Sequence, residues 1–383
     1  MNFDHVLQAE IREWQEKGTF RSLRTVASAQ GREIVIEGER LLNFCSNDYL
    51  GLAADPRPAA AAQEALARLG TGSGASRLVC GSFEEHALLE QEVATFKGTE
   101  AALVFGSGYM ANTGIIPALV GRNDVVFSDR LNHASLVDGI VLSRADLQRY
   151  AHNDMLQLEA ALRKAGGKKR RLIVTDAVFS MDGDTAFLKE IVELARRYEA
   201  WVMVDEAHSF GLFGASGAGL AEELGVQKDI HVQMGTLSKA AGVIGAYAAG
   251  SQVLRDYLVN RARSFVFTTA MPPAMAAAAR ASLQILRAEP ERRQRVLALA
   301  SRLRTGLRGM GLNVPEGRTP IIPVMIGDDQ EAVRFSRELA AKGFFVPAIR
   351  PPTVPAGTAR LRVTVTAAHT DADIEKFLKV FKS

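Results

Sequence analysis

Apolar residues at helical spacing open the chain. Phe3, Val6, Leu7, Ile11 and Trp14 recur with charged residues between them, which predicts a helix over residues 3–17 that stops at Gly18. From Glu33 to Phe44 the pattern turns to alternation around a glycine and predicts a hairpin. Ala59–Leu69 is helical again. Short apolar runs then dominate: Ala101–Phe105, Val125–Ser128, Leu172–Asp176, Trp201–Asp205, His231–Met234 and Ala246–Ala249. Helical patterns such as Leu188–Tyr198 separate several of them. Strands alternating with helices predict an α/β fold with a mostly parallel sheet covered on both faces. Ligands of such sheets bind outside the carboxyl ends of the strands. Asp205 and the loop after Phe105 fall there.

The pattern shifts after Met271-Pro272-Pro273. Ala274–Arg308 is rich in Ala, Leu and Arg and predicts one long helix joining two domains. Beyond it, Ile321–Ile326 and Arg360–Thr366 read as strands. Gln330–Lys342 and Asp371–Lys382 read as helices, the second opened by the capping sequence Thr370-Asp371-Ala372-Asp373. The expected organisation is an N-terminal helix and hairpin segment over 1–45, a large α/β domain over 46–285 and a smaller α+β domain over 286–383. The chain shows no internal repeat and no low-complexity linker.

Composition narrows the functional classes. Of 383 residues, 47% are hydrophobic and 23% charged, ordinary values for a water-soluble globular protein. The formal net charge of +3 gives no case for nucleic acid or an anionic membrane surface. The run Lys168-Lys169-Arg170-Arg171 is read as a solvated loop before a strand. Two cysteines, Cys45 and Cys80, make neither a disulfide framework nor a zinc-ligand set, and both are expected to be small buried residues. No metal ligand set is found. The N-terminus lacks a secretory pattern and no apolar run spans a bilayer, so the expected compartment is the cytoplasm.

Several segments carry chemistry. Gly70-Thr71-Gly72-Ser73-Gly74-Ala75 has dinucleotide-fingerprint spacing, but it follows a helical pattern where that fingerprint needs a strand, and it is read as a turn. Gly106-Ser107-Gly108-Tyr109 has the right context for a phosphate: a strand before it and a helix-like run after it. His133 follows a strand and either caps a helix or lines a cleft. Asp205 ends a buried strand, with His208 just beyond. Lys239 closes Gly235-Thr236-Leu237-Ser238-Lys239, among small residues and hydroxyls that admit a planar ligand. Lys239, Asp205 and Thr236 together supply what pyridoxal 5'-phosphate needs: an amine for a Schiff base, an acid for the ring nitrogen and a hydroxyl for the phosphate.

At these residues the chain resembles the α-oxoamine synthases, pyridoxal-phosphate enzymes of the fold type I aminotransferase class. The likeness runs through Ser46–Leu52, Gly106–Tyr109, Asn132–Ser135, Val178–Asp184, Asp205–His208 and Gly235–Lys239, in order and over nearly the whole chain. Ala246 and Ala270 depart from the family pattern, where a second glycine and a hydroxyl residue are common. Ala270–Pro273 and Arg350–Thr358 resemble the branch that joins L-alanine to a pimeloyl thioester, on coenzyme A or acyl carrier protein, in biotin biosynthesis. His152-Asn153-Asp154-Met155 and Ser180–Asp184 are also at home in the branch that joins glycine to acetyl-coenzyme A.

The resemblance implies roles. Lys239 holds the cofactor and then takes the substrate Cα proton, Asp205 faces the ring nitrogen and His133 stacks on the ring. Ser180 and His208 bond the phenolic oxygen. Gly108, Tyr109 and Thr236 form the phosphate site, and Thr268 and Thr269 add hydroxyls from a second subunit of a homodimer with shared active sites. Arg362 grips the amino-acid carboxylate, Asn47 lines the amino-acid site, and Arg21 and Thr353 contact the acyl substrate.

Overall fold

The computed structural model describes residues 2–381. Its strands are β1 (Glu33–Ile36), β2 (Glu39–Asn43), β3 (Ala101–Phe105), β4 (Val125–Asp129), β5 (Asp146–Tyr150), β6 (Arg171–Asp176), β7 (Trp201–Asp205), β8 (Val232–Thr236), β9 (Ala246–Gly250), β10 (Ile321–Gly327), β11 (Phe344–Phe345), β12 (Ala348–Ile349) and β13 (Ala359–Thr364). The chain divides into two compact units: residues 47–180 with 184–296, and residues 1–46 with 181–183 and 297–383.

The larger unit is built on a seven-stranded sheet in the order β3-β9-β8-β7-β6-β4-β5. β9 runs antiparallel to both neighbours, and the β8-β7-β6-β4-β5 pairings are parallel. The fold is thus of the mostly parallel α/β class that the alternation predicts. Side chains leave a strand on alternate faces, and here both faces are buried, so the strands read as unbroken apolar runs. Ile173, Val202 and Val204 pack on one face with Leu158, Leu188 and Ile191. Leu172, Val174 and Met203 pack on the other with Ile115, Leu136 and Phe265.

Two elements differ from the hydrophobic pattern. β5 is an edge strand with only Tyr150 buried, so its Asp146-Leu147-Gln148-Arg149 stretch carries no strand signal. The expected long helix is two, Pro273–Ala288 and Glu291–Gly309. Pro290 lies between them, and a proline disfavours helical geometry in the residue before it. Glu289 accordingly has φ −120° and ψ 62°.

In the smaller unit the expected hairpin forms, with β1 and β2 antiparallel and Glu37 and Gly38 both at positive φ in the turn. β11 adds to β2 in parallel, which joins the N-terminal segment to the C-terminal part of the chain. β10, β13 and β12 form a second antiparallel sheet. Phe44 stacks on Phe377 of the helix Asp371–Val380, ring centroids 4.3 Å apart. That helix begins with the expected capping box, Thr370 and Asp373 bonding each other's backbone N–H. The sequence pattern extends it to Lys382, which lies outside the described residues.

Candidate active site

The parallel strands β4, β6, β7 and β8 end in Asp129, Asp176, Asp205 and Thr236, so four polar side chains converge at one edge of the sheet. Asp205 is buried and held from two sides. Its Oδ1 accepts a hydrogen bond from the Ala207 N–H at 2.9 Å, and its Oδ2 accepts one from Asn112 Nδ2 at 2.8 Å. Asn112 also donates to Ser135 Oγ at 2.9 Å, and Ser135 Oγ lies 2.7 Å from His133 Nδ1. A continuous hydrogen-bonded path therefore runs from the carboxylate to the imidazole.

His133 is the N-cap of the helix Ala134–Ser143: its Nδ1 accepts the Ser135 N–H at 3.2 Å. Accepting at Nδ1 puts the ring proton on Nε2. His133 is exposed as a residue. Partial desolvation of its ring lowers the pKa below the ordinary value; the Asp205 charge opposes that shift and the Lys239 charge adds to it. The His133 N–H donates to Asp176 Oδ2 at 2.7 Å. Asp176 pairs with Asp205 across adjacent strands. Burial and the Asp205 charge raise Asp176 well above the usual carboxylate range.

Lys239 Nζ is 3.2 Å from Thr236 Oγ1. Beside them begins the helix Gly108–Leu119, capped by Ser107, whose Oγ accepts the Met110 N–H at 3.3 Å. A Cβ on Gly108 would lie 2.6 Å from Thr236 Cγ2, so only glycine lets the helix start approach the threonine this closely. An open helix N-terminus next to a hydroxyl suits a phosphate. A buried, doubly supported carboxylate suits a protonated pyridine nitrogen. The amine of Lys239 completes the set, and these residues fit pyridoxal phosphate.

Other expected contacts are distributed more widely. The buried Tyr49 hydroxyl lies 2.7 Å from His208 Nδ1 and 3.3 Å from Asn47 Oδ1, so those three form one cluster. Ser180 is half-buried in the loop after β6. Tyr109 is half-exposed, and its hydroxyl donates to Asp138. Thr268 and Thr269 line a small pocket with Phe105 and Gly106, the residues just before the helix start.

Arg21, Thr353 and Arg362 belong to the smaller unit. Arg21 Nη2 donates to Thr353 Oγ1 at 2.9 Å, so two residues far apart in sequence meet. They line a cavity of about 450 Å³ together with Arg24, Arg337 and Arg350. Arg362 is buried on β13. Cys45 is half-buried; burial pushes its thiol up to about 12, with Arg362 pulling the other way, which disfavours the reactive thiolate. Cys80 is exposed, against the expectation of a buried residue, because it sits in a turn rather than on a packed face.

Asn112, Ser135, Asp176 and Tyr49 bond the candidate residues and were given no role from the sequence. Asp176 ends an apolar run just as Asp205 does, and that signal was available. Ser135 and Tyr49 lie inside the Asn132–Ser135 and Ser46–Leu52 segments but were given no role there, and Asn112 depends on a tertiary contact with no local signature. Among the described residues, no helix is long and apolar enough to cross a membrane, and no group of three or more His, Cys, Asp or Glu side chains is arranged to hold a metal.

Comparison with known proteins identifies the family. The family described as aminotransferase class I and II matches residues 39–381. An 8-amino-7-oxononanoate synthase of Geobacter sulfurreducens is 54% identical over 97% of this chain and 95% of that protein. The enzyme of the same name from Cellvibrio japonicus is 47% identical over 99% and 95%. Among solved structures, serine palmitoyltransferase from S. paucimobilis with bound PLP and myriocin superposes with a TM-score of 0.94 at 35% identity, over 98% of this chain and 96% of that one. The 8-amino-7-oxononanoate synthase of Francisella tularensis gives a TM-score of 0.78 at 28% identity, over 89% and 96%. The chain belongs to the class I and II aminotransferase family and, within it, to the pyridoxal-phosphate-dependent α-oxoamine synthases.

Proposed function

We propose that the protein condenses L-alanine with a pimeloyl thioester, on coenzyme A or acyl carrier protein, to give 8-amino-7-oxononanoate for biotin biosynthesis. The observation that carries the chemistry is the convergence of Lys239, Thr236, Asp205 and His133 at the carboxyl ends of the strands, with Asn112 and Ser135 fixing the last two. The substrate reading rests on relatives of that name at 47–54% identity over nearly the full chain.

Bound pyridoxal phosphate supplies an electron sink for negative charge at the alanine Cα. Lys239 would hold the cofactor through its amine, and its free Nζ would be the base for the alanine Cα proton. The Asp205 carboxylate, held by Asn112 and the Ala207 N–H, would favour a proton on the cofactor's ring nitrogen. His133, oriented by Ser135, would pack against the cofactor ring. Ser180 and His208 donate to the phenolic oxygen, His208 being oriented by Tyr49. The N–H groups at Gly108 and Tyr109 and the Thr236 hydroxyl bind the phosphate, and Thr268 and Thr269 reach the site of a partner in a homodimer. Arg362 binds the alanine carboxylate with a planar fork that lysine lacks, Asn47 lines the amino-acid site, and Arg21 and Thr353 contact the acyl chain.

The overall reaction balances. A carbon–carbon bond forms between the alanine Cα and the thioester carbonyl. The carbon–sulfur bond breaks and the carrier leaves as a thiol. The alanine carboxyl departs as carbon dioxide, and Cα recovers one proton. The proposed compartment is the cytoplasm.

A thiol-release assay crossing alanine, glycine and serine with pimeloyl, acetyl and palmitoyl thioesters tests the reading. Alanine with pimeloyl should give the highest kcat/KM. A clear preference for glycine with acetyl-coenzyme A would refute the substrate reading and leave the family standing.

A further inference from the structure

His152 plays no part in the chemistry above, yet both of its ring nitrogens face a carboxylate. Nδ1 lies 3.0 Å from Asp129 Oδ1, and Nε2 lies 2.6 Å from Asp184 Oδ2. A neutral imidazole carries one N–H and would turn a lone pair on one of the two acids. The arrangement therefore calls for the cation. The ring is also set edge-on against Phe179, centroids 4.4 Å apart at 88°.

The two aspartates belong to different segments, one leading to His133 and one following Ser180. Asp129 Oδ1 also accepts the Leu131 N–H at 2.8 Å, and the Asp129 carbonyl accepts the Asn132 N–H at 3.2 Å, which shapes the turn leading into His133. Asp184 closes the loop that carries Ser180: its carbonyl accepts the Phe179 N–H at 3.0 Å, next to the Val178–Thr185 bridge. Asn153 reinforces both ends. Its N–H donates to Asp129 Oδ2 at 2.8 Å and its side chain to the Thr185 carbonyl at 3.1 Å, with φ at +54°.

We infer that His152 is a positioning residue: it ties the turn bearing His133 to the loop bearing Ser180 and so sets both side chains against the cofactor ring. The inference rests on the roles proposed above for His133 and Ser180. Burial alone would lower the His152 pKa, but the hydrogen bonds and charges of Asp129 and Asp184 raise it to about 10, so the tie is intact at neutral pH.

The test is the absorption spectrum of the purified holoenzyme, which reports the protonation balance of the cofactor's ring and phenolic oxygen. Wild type, His152→Gln, Ser180→Ala and the double variant are compared, with the melting temperature of each apoprotein measured alongside. Ser180→Ala should change the ratio of the two protonation forms about fivefold, the worth of one hydrogen bond. His152→Gln should shift it in the same direction, and the double variant should add little to either. If His152→Gln does not fold, Asp184→Asn keeps the shape, removes one charge and is read the same way. A spectral change with Ser180→Ala but a lower melting temperature and an unaltered spectrum with His152→Gln, or with Asp184→Asn in its place, would overturn the positioning role alone. No spectral change with Ser180→Ala would remove the Ser180 reading and this inference with it.

Discussion

The two ends of the seven-stranded sheet have opposite characters. At the carboxyl ends of the parallel strands stand Asp129, Asp176, Asp205 and Thr236, and the helix Gly108–Leu119 opens beside them. At the amino ends lies a cavity of about 560 Å³, lined by Trp201, Ile230, His231, Leu254 and Tyr257 among others. Two of its polar side chains are tied to backbone groups. His231 Nδ1 accepts the Val202 N–H at 3.1 Å. Arg170 donates to the Leu119 carbonyl at 2.7 Å and lies 5.5 Å from the Trp201 ring centre. One helix joins the two ends: its open N-terminus faces the cofactor residues, and Arg170 covers a carbonyl at its C-terminus, each as the helix dipole favours. Cavity size does not mark the active end. Convergent side chains with donors and acceptors aimed into one space do.

The largest break in this contrast should come from Asp205→Asn. It keeps the shape and the Asn112 contact region but removes the charge opposite the ring nitrogen, a loss of about 1.5–3 kcal/mol and hence about 10–100-fold in turnover. Steady-state kinetics at saturating cofactor measures it, and an unchanged kcat would separate the carboxylate from the chemistry.

A smaller effect is expected at the helix start. Gly108→Ala puts a methyl 2.6 Å from Thr236 Cγ2, and overpacking of this kind costs about 1–3 kcal/mol. The cofactor dissociation constant should rise about tenfold or more while the far-ultraviolet circular dichroism stays that of wild type. Equal affinity for the two proteins would place the phosphate elsewhere.

The sheet's apolar strands and Lys239, Asp205 and Thr236 were legible in the sequence for a physical reason. A strand buried on both faces spells a continuous apolar run, and a polar residue ending that run stands out. β5 was not legible because an edge strand keeps one flank in water. Asn112 was hidden because its function depends on the helix Gly108–Leu119 crossing to β7, a contact between residues 93 apart. His152 drew notice only as part of a branch motif. Its acids lie 23 and 32 residues away, and nothing local couples them.

The smallest effect should be at the other end of the sheet. Tyr257→Ala enlarges the amino-end cavity without touching the polar network, and kcat/KM should stay within about twofold of wild type, as for surface changes worth less than ~0.5 kcal/mol. A large loss would make that cavity part of the catalytic apparatus and erase the contrast.

The central claim is that Lys239 is the amine that holds the cofactor at the carboxyl end of the sheet. Borohydride reduction of the holoenzyme, followed by proteolysis and mass mapping, tests it most directly. The account predicts a single pyridoxyl adduct on Lys239, in the peptide containing Gly235–Ala241, and its absence from the Lys239→Ala variant. An adduct on any other lysine of the wild-type protein contradicts it.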